Sequence, residues 1–424
     1  MKPLLQMPSV GNRVADPACR RSAAGHVALA LLLFFLLANI QFIGMERFTT
    51  GRVAIVLMTL WAFAEGKNPF RLLASRVWLP FLPIVYVAVQ FLLIGDSEQL
   101  SRFVNLAIYS YLGSAVFVTL AGEVKILLWT LLSAIALQSA IILFSFVSLD
   151  YRAWFDTIIF TSSNYDASYL YRAPGFTSGG GASLSLTQSM GVLAAWLLLR
   201  PQQPEPVKGR MTYVVVFAAL LITASCVVVG RTGLLLSGLF LGLLLIESRA
   251  RWQFVTLSLV LGVWAWLYAE ALITISLGDD FSLEFLMVWA FASFAGEGSS
   301  VSDLSSMPIP PLSLDTLIGT GLSGLVDGGN PSGHDAGFVQ TYFSMGLIFA
   351  VVFYTAYLYV LLHCFRWLSP RWRLLLPLVF FLLEIKEPFV FKYSLPFVVL
   401  ALYFAHRRLQ VPSRTGLEPK ARPP

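Results

Sequence analysis

Four short polar stretches interrupt an otherwise apolar chain: YRAPGF at 171–176, GRTG at 230–233, GHDAG at 333–337 and EIKEPFVFK at 384–392. Their residue types suit one kind of chemistry. Arg172, Arg231, Lys386 and Lys392 supply positive charge, and a guanidinium can grip a phosphate through two parallel hydrogen bonds. Gly230 and Gly233 flank Arg231, and glycines allow a turn whose backbone N–H groups come close to an anion. His334 and the adjacent Asp335 are side chains able to take up a proton near neutral pH. Asp335 also suits a helix N-cap. A diphosphate leaving group needs little protonation, so cations that stabilise its developing charge can carry much of a transfer reaction. The attacking hydroxyl must still lose its proton, and His334 or Asp335 is the candidate acceptor. No His/Cys/Asp/Glu spacing suggests a metal site, and Asp279-Asp280 reads as a solvated loop. No cofactor is expected.

The elements that must position these residues are membrane helices. Hydrophobic residues make up 57% of the 424 and charged residues 12%, with a mean hydropathy of +0.75; a soluble domain carries roughly twice that charge. A bilayer core needs about 20 apolar residues per helix, and twelve segments qualify: 26–45, 52–65, 77–95, 103–121, 125–148, 182–199, 211–229, 233–246, 253–274, 336–363, 374–385 and 394–406. Expected is an all-α polytopic protein with a transmembrane domain over 26–406, between cytoplasmic tails at 1–25 and 407–424. Long loops at 149–181 and 275–335 face the other side. Basic residues set this orientation, since Lys and Arg concentrate in cytoplasmic loops. Most of the 29 do so when both termini are inside. Only Arg47, Arg52, Arg102, Arg152, Arg172, Arg231, Lys386 and Lys392 then lie outside. Arg47, Arg52 and Arg102 fit helix-end snorkelling.

An arginine between two spanning segments is expensive: burying Arg231 at the bilayer centre would cost about 2.5–3.5 kcal/mol on the insertion scale. It belongs at a membrane surface or beside an anionic ligand. The net charge of +6 suits anchoring to anionic membrane lipids and gives no reason to invoke nucleic acid. His26, His363 and His406 fall at cytoplasmic helix ends, which leaves His334 as the outward histidine. Cys19 and Cys364 fall inside and Cys226 within a helix, so no disulfide is expected. The apolar stretch at 283–295 is too short to span and suits an interfacial helix.

The twelve segments, GRTG between adjacent helices, a long outer loop closing with HDAGFVQTYFSMGLI, and EIKEPF before the last helix together resemble the bacterial O-antigen polymerase and O-antigen ligase superfamily. The resemblance implies a metal-independent glycosyltransferase of the bacterial inner membrane with its active site facing the periplasm. Such an enzyme takes a saccharide from an undecaprenyl diphosphate-linked oligosaccharide and passes it to a growing chain or to lipid A-core. A chain-length regulator is a possible partner. HDAGF is more similar to the polymerase branch, whereas Glu387 stands where that branch often has glycine. The same resemblance carries Arg172, Arg231, His334 and Asp335 as site residues, with Lys386 and Lys392 behind them. A transporter or flippase of lipid-linked saccharide is the alternative from another class. Charges at the midplane of broken helices and a repeat between halves would mark it.

Overall fold

The computed structural model describes residues 22–45, 48–73, 83–160, 173, 175–201, 207–248, 251–277, 282, 284, 287–288, 306–324, 330–392 and 394–410. Among them the secondary structure is helical, with two isolated bridges and no named strand. Each of the twelve apolar segments carries helix: α1 (Ala23–Ala38), α2 (Thr50–Ala64), α3 (Pro83–Ile94), α4 (Ser97–Ala121), α5 (Val124–Val147), α6 (Gly181–Leu199), α7 (Arg210–Val227), α8 (Arg231–Glu247), α9 (Arg251–Leu277), α10 (Gly337–Met345), α11 (Leu347–Cys364), α12 (Pro370–Leu382) and α13 (Ser394–Gln410). Five of these are long and apolar enough to cross a membrane: α4, α5, α6, α7 and α11. The protein is a helical membrane protein.

Helix α6 is the centre of the bundle, with every residue from Leu184 to Leu199 buried. Small residues make this possible. A Cβ on Gly191 would lie 2.7 Å from both Ile135 of α5 and Ile222 of α7, so glycine lets both neighbours approach α6 closely. Hydroxyls here find partners within the bundle, which the absence of water favours: Ser139 Oγ donates to Gln188 Oε1 at 2.6 Å and Ser225 Oγ to Ser139 Oγ at 3.1 Å.

One of the expected spans is interrupted. The segment 336–363 is two helices, α10 and α11, separated at Gly346, whose φ of +86° is open to glycine and strained for other residues. Gly319 (φ +105°) crosses at the same point; a Cβ on either glycine would meet the other strand's backbone at 2.3 Å. The carbonyls that α10 leaves without helical partners are taken by this strap: Thr320 N–H donates to Phe343 O at 3.0 Å and Gly321 N–H to Ser344 O at 2.9 Å. The connection between the expected spans 374–385 and 394–406 follows α12. There the chain tightens into a short 3₁₀ turn, Leu383–Ile385, then passes Pro388 and a second, Phe389–Phe391, before α13.

The strap is held at its other end by α4. Asp96 accepts the N–H groups of Ser323 at 2.7 Å and Gly324 at 3.0 Å, while Arg102 donates to Ser323 O at 3.2 Å. Arg102, expected to snorkel at a helix end, instead secures the long loop. Phe103, Phe353 and Phe391 stack together, with centroids 5.1–5.4 Å apart, and so fasten the 389–391 turn to α4 and α11.

Candidate functional site

GRTG begins a helix. Gly230 is the N-cap of α8 in extended backbone, with no side-chain cap, and Arg231 is the first helical residue. The glycines are there for close approach. A Cβ on Gly233 would lie 1.9 Å from the carbonyl oxygen of Ser185, and one on Gly230 would lie 2.9 Å from Ser185 Oγ and 3.1 Å from Gly181 O. Ser185 Oγ accepts the Gly233 N–H at 3.1 Å. The start of α8 is therefore pressed onto the start of α6, whose own N-cap, Gly180, also lacks a side-chain cap. Two helix N-termini, each carrying roughly half a positive charge, meet here.

The turn after α12 reaches the same place. Lys386 Nζ donates to Thr232 Oγ1 at 3.0 Å, joining EIKEPF to GRTG across 154 residues of sequence. Ser394 at the end of this turn bonds Thr187 of α6 at 2.7 Å and donates to Lys392 O at 3.3 Å, so Lys392 is tied to the first turns of α6 through its backbone.

The HDAG segment packs against the other face of the turn. A Cβ on Gly337 would lie 2.6 Å from Pro388 Cα and 2.8 Å from both Glu384 Oε2 and Glu387 O. His334 is buried, 6% exposed. Its Nδ1 accepts the Ala336 N–H at 3.0 Å, and Ser332 Oγ bridges its backbone N–H and carbonyl at 3.2 and 3.0 Å. A neutral ring held this way carries its proton on Nε2, which is then a hydrogen-bond donor. Asp335 does not cap α10: the N-cap is Ala336, without a side-chain bond. The Asp335 side chain is exposed and its carbonyl accepts from Gln340 Nε2 at 2.9 Å. In this conformation the carboxylate, not the imidazole, is the group of the pair ready to accept a proton.

Of the residues singled out by sequence, the structure brings Gly230 and Gly233 onto α6 and Lys386 onto Thr232, next to Arg231 in the chain; Lys392 reaches α6 through its carbonyl, and His334 and Asp335 are linked to the turn through Gly337, three and two residues further on. Arg172 lies outside the described residues, as do Asp279 and Asp280. Sequence reading missed Ser185, Thr232, Tyr354 and Glu384. Ser185 had a signal, a small polar residue just after GGGAS opens a helix; Glu384 had a stronger one, a carboxylate in an apolar run. Among the described residues no group of three His, Cys, Asp or Glu side chains is placed to hold a metal ion. What the arrangement offers is positive charge and helix N-termini for an anion, with an imidazole donor and a carboxylate close by in sequence.

No known protein family, curated protein or solved structure matches this chain. Fold and site therefore define a class, a helical membrane protein with a cationic helix-terminus site, and the activity is argued from that site.

Proposed function

We infer that the protein is a polysaccharide polymerase of the bacterial inner membrane, working on O-antigen or an exopolysaccharide. It transfers a glycan from undecaprenyl diphosphate to a hydroxyl of an acceptor saccharide. The observation that carries this reading is the Lys386–Thr232 hydrogen bond, because it puts a lysine at the point where two helix N-termini and Arg231 meet. That is a diphosphate-binding chemistry. In the proposed topology the chain spans the membrane twelve times, both termini are cytoplasmic, and this cluster faces the periplasm; the sequence resemblance adds Arg172 to the diphosphate-binding residues.

The residues then act as follows. Arg231, Lys386 and the N–H groups at the starts of α6 and α8 hold the diphosphate and stabilise the charge that grows as the anomeric C–O bond breaks. His334 Nε2 donates a hydrogen bond to a saccharide or phosphate oxygen. Asp335 accepts the proton of the attacking hydroxyl as the new glycosidic bond forms, and undecaprenyl diphosphate leaves. No step calls on a cofactor.

A second reading, a flippase for the same lipid-linked saccharide, is favoured by the break of the 336–363 segment at Gly346, since broken helices line the central sites of transporters. The two part in one experiment. In cells whose gene is deleted and replaced by the His334→Ala form, surface polysaccharide on a gel is expected as a single repeat on its acceptor, with normal protein levels in the membrane. A wild-type ladder would remove His334 from the mechanism. Complete absence of attached glycan would favour the ligase or flippase reading.

A further inference from the structure

Glu384 is the most completely enclosed charged side chain among the described residues, 0% exposed, in a stretch bounded by Leu382, Leu383 and Ile385. A carboxylate in such surroundings persists only where its oxygens are satisfied and something depends on it. Both oxygens are engaged. Oε1 accepts the Val390 N–H at 2.6 Å, closing the turn from 384 to 390 on itself. Oε2 accepts from Tyr354 Oη of α11 at 3.1 Å, and Tyr354 Oη pairs in turn with Thr341 Oγ1 of α10 at 3.0 Å. Gly337 lies against the same oxygen, where a Cβ would stand 2.8 Å away. One carboxylate thus connects the turn carrying Lys386, the helix that follows His334 and Asp335, and α11. Pro388 has no N–H to give, so no backbone bond can run from it to Glu384 O, and the Glu384 side chain supplies a link across the turn.

We propose that Glu384 is a positioning residue: its buried carboxylate fixes the 384–392 turn so that Lys386 is presented to the Arg231–Gly233 turn and Gly337 can seat beside it. For its catalytic consequence this rests on the polymerase reading; for its geometry it does not. Removing the carboxylate leaves the Val390 N–H and the Tyr354 hydroxyl without their acceptor, and the turn relaxes. An amide in its place keeps an oxygen for Val390 and an NH₂ group facing the Tyr354 oxygen.

The test is acylation of purified protein in detergent with a water-soluble amine reagent, followed lysine by lysine by mass spectrometry with Lys67 as the internal reference. Glu384→Ala is expected to raise the Lys386 rate about fivefold or more, as local opening exposes it, with Lys67 unchanged. Glu384→Gln should stay within about twofold of wild type by the same measure. Should the alanine form not fold, Tyr354→Phe removes one of the two donors without opening a cavity and should give a smaller rise in the same direction. Lys386 rates equal to wild type in every variant that folds would overturn the proposal. In turnover with a lipid-linked donor, Glu384→Ala should raise KM about tenfold with a smaller change in kcat, and Glu384→Gln should restore it. A labelling response without polymerising activity in the wild type would retire the polymerase reading and leave the positioning role standing.

Discussion

The same three helices, α6, α8 and α12, end in polar clusters at both of their extremities, and the two ends are built differently. Where α6 and α8 finish and α12 begins, Arg200 lies 3.6 Å from Glu247 and 5.0 Å from the Trp196 ring centre, and Trp372 donates its indole N–H to Glu247. This is a latch closed by its own counter-charge and aromatic cover. At the other end, where α6 and α8 begin and α12 gives way to the 384–392 turn, Lys386 donates to a neutral hydroxyl, Thr232, and both helix N-caps are glycines. Opposite charges paired across two helices make a structural clasp; a cation, a hydroxyl and two helix N-termini gathered at one point suit an anion. The contrast predicts that substitutions at the first end cost stability, and at the second, ligand affinity.

The largest effect is expected from the backbone packing on which the second end is built, which must form before any ligand can bind there. Gly233→Val would drive side-chain atoms into the Ser185 backbone, which a Cβ alone would already approach to 1.9 Å. Backbone cannot give way as a flexible side chain can, and the cost should exceed about 3 kcal/mol. Monodisperse protein should be lost on size-exclusion chromatography; normal recovery would mean that α6 and α8 do not pack this closely. Next comes the latch. Arg200→Ala leaves Glu247 without its cation in a largely buried setting and should cost about 2 kcal/mol, seen as a lower melting temperature, while activity per folded molecule stays near wild type. A selective loss of activity would erase the distinction between the ends.

The smallest effect concerns the strap beside the site. Burial raises the Asp96 carboxyl pKa, but the N–H groups of Gly324, Ser323 and Glu98 together with Arg102 outweigh it and hold the carboxyl below its usual range. A depressed pKa contributes stability above the ordinary carboxylate range, and that contribution is lost as pH falls through the lowered value. Protection factors of the Ser323 and Gly324 amides, read by mass spectrometry against the intrinsic rate at each pH, should therefore fall on acidification in wild type, and Asp96→Asn should show the lowered protection already at neutral pH. Equal protection in both proteins would show that Asp96 does not anchor the strap.

Much of the helical layout was legible in the sequence because apolar runs longer than a membrane-crossing turn count are hard to read otherwise. Helices such as Val124–Val147 and Gly181–Leu199 start and stop within a residue or two of the apolar boundaries. The interruption at Gly346 was not, since FSMGLIFA remains apolar across it and hydropathy does not register a single left-handed glycine. Arg102 looked like a snorkelling helix end because its partner, Ser323, lies 221 residues away. The candidate site was half legible. Residue type pointed to Arg231, Lys386, His334 and Asp335, but Glu384 was passed over as part of a hydrophobic segment, and the tautomer of His334 depends on an amide two residues along that only folded backbone reveals.

The central claim is that the junction of GRTG with the 384–392 turn holds a diphosphate. Titration of undecaprenyl diphosphate into protein in nanodiscs measures this directly. Lys386→Met and Arg231→Lys should each weaken binding about tenfold or more, the second because an ammonium lacks the two-pronged grip of a guanidinium. Arg408→Lys, at the end of α13 beside the Val118 carbonyl, should bind as wild type does. Equal affinity across all four proteins would contradict the account.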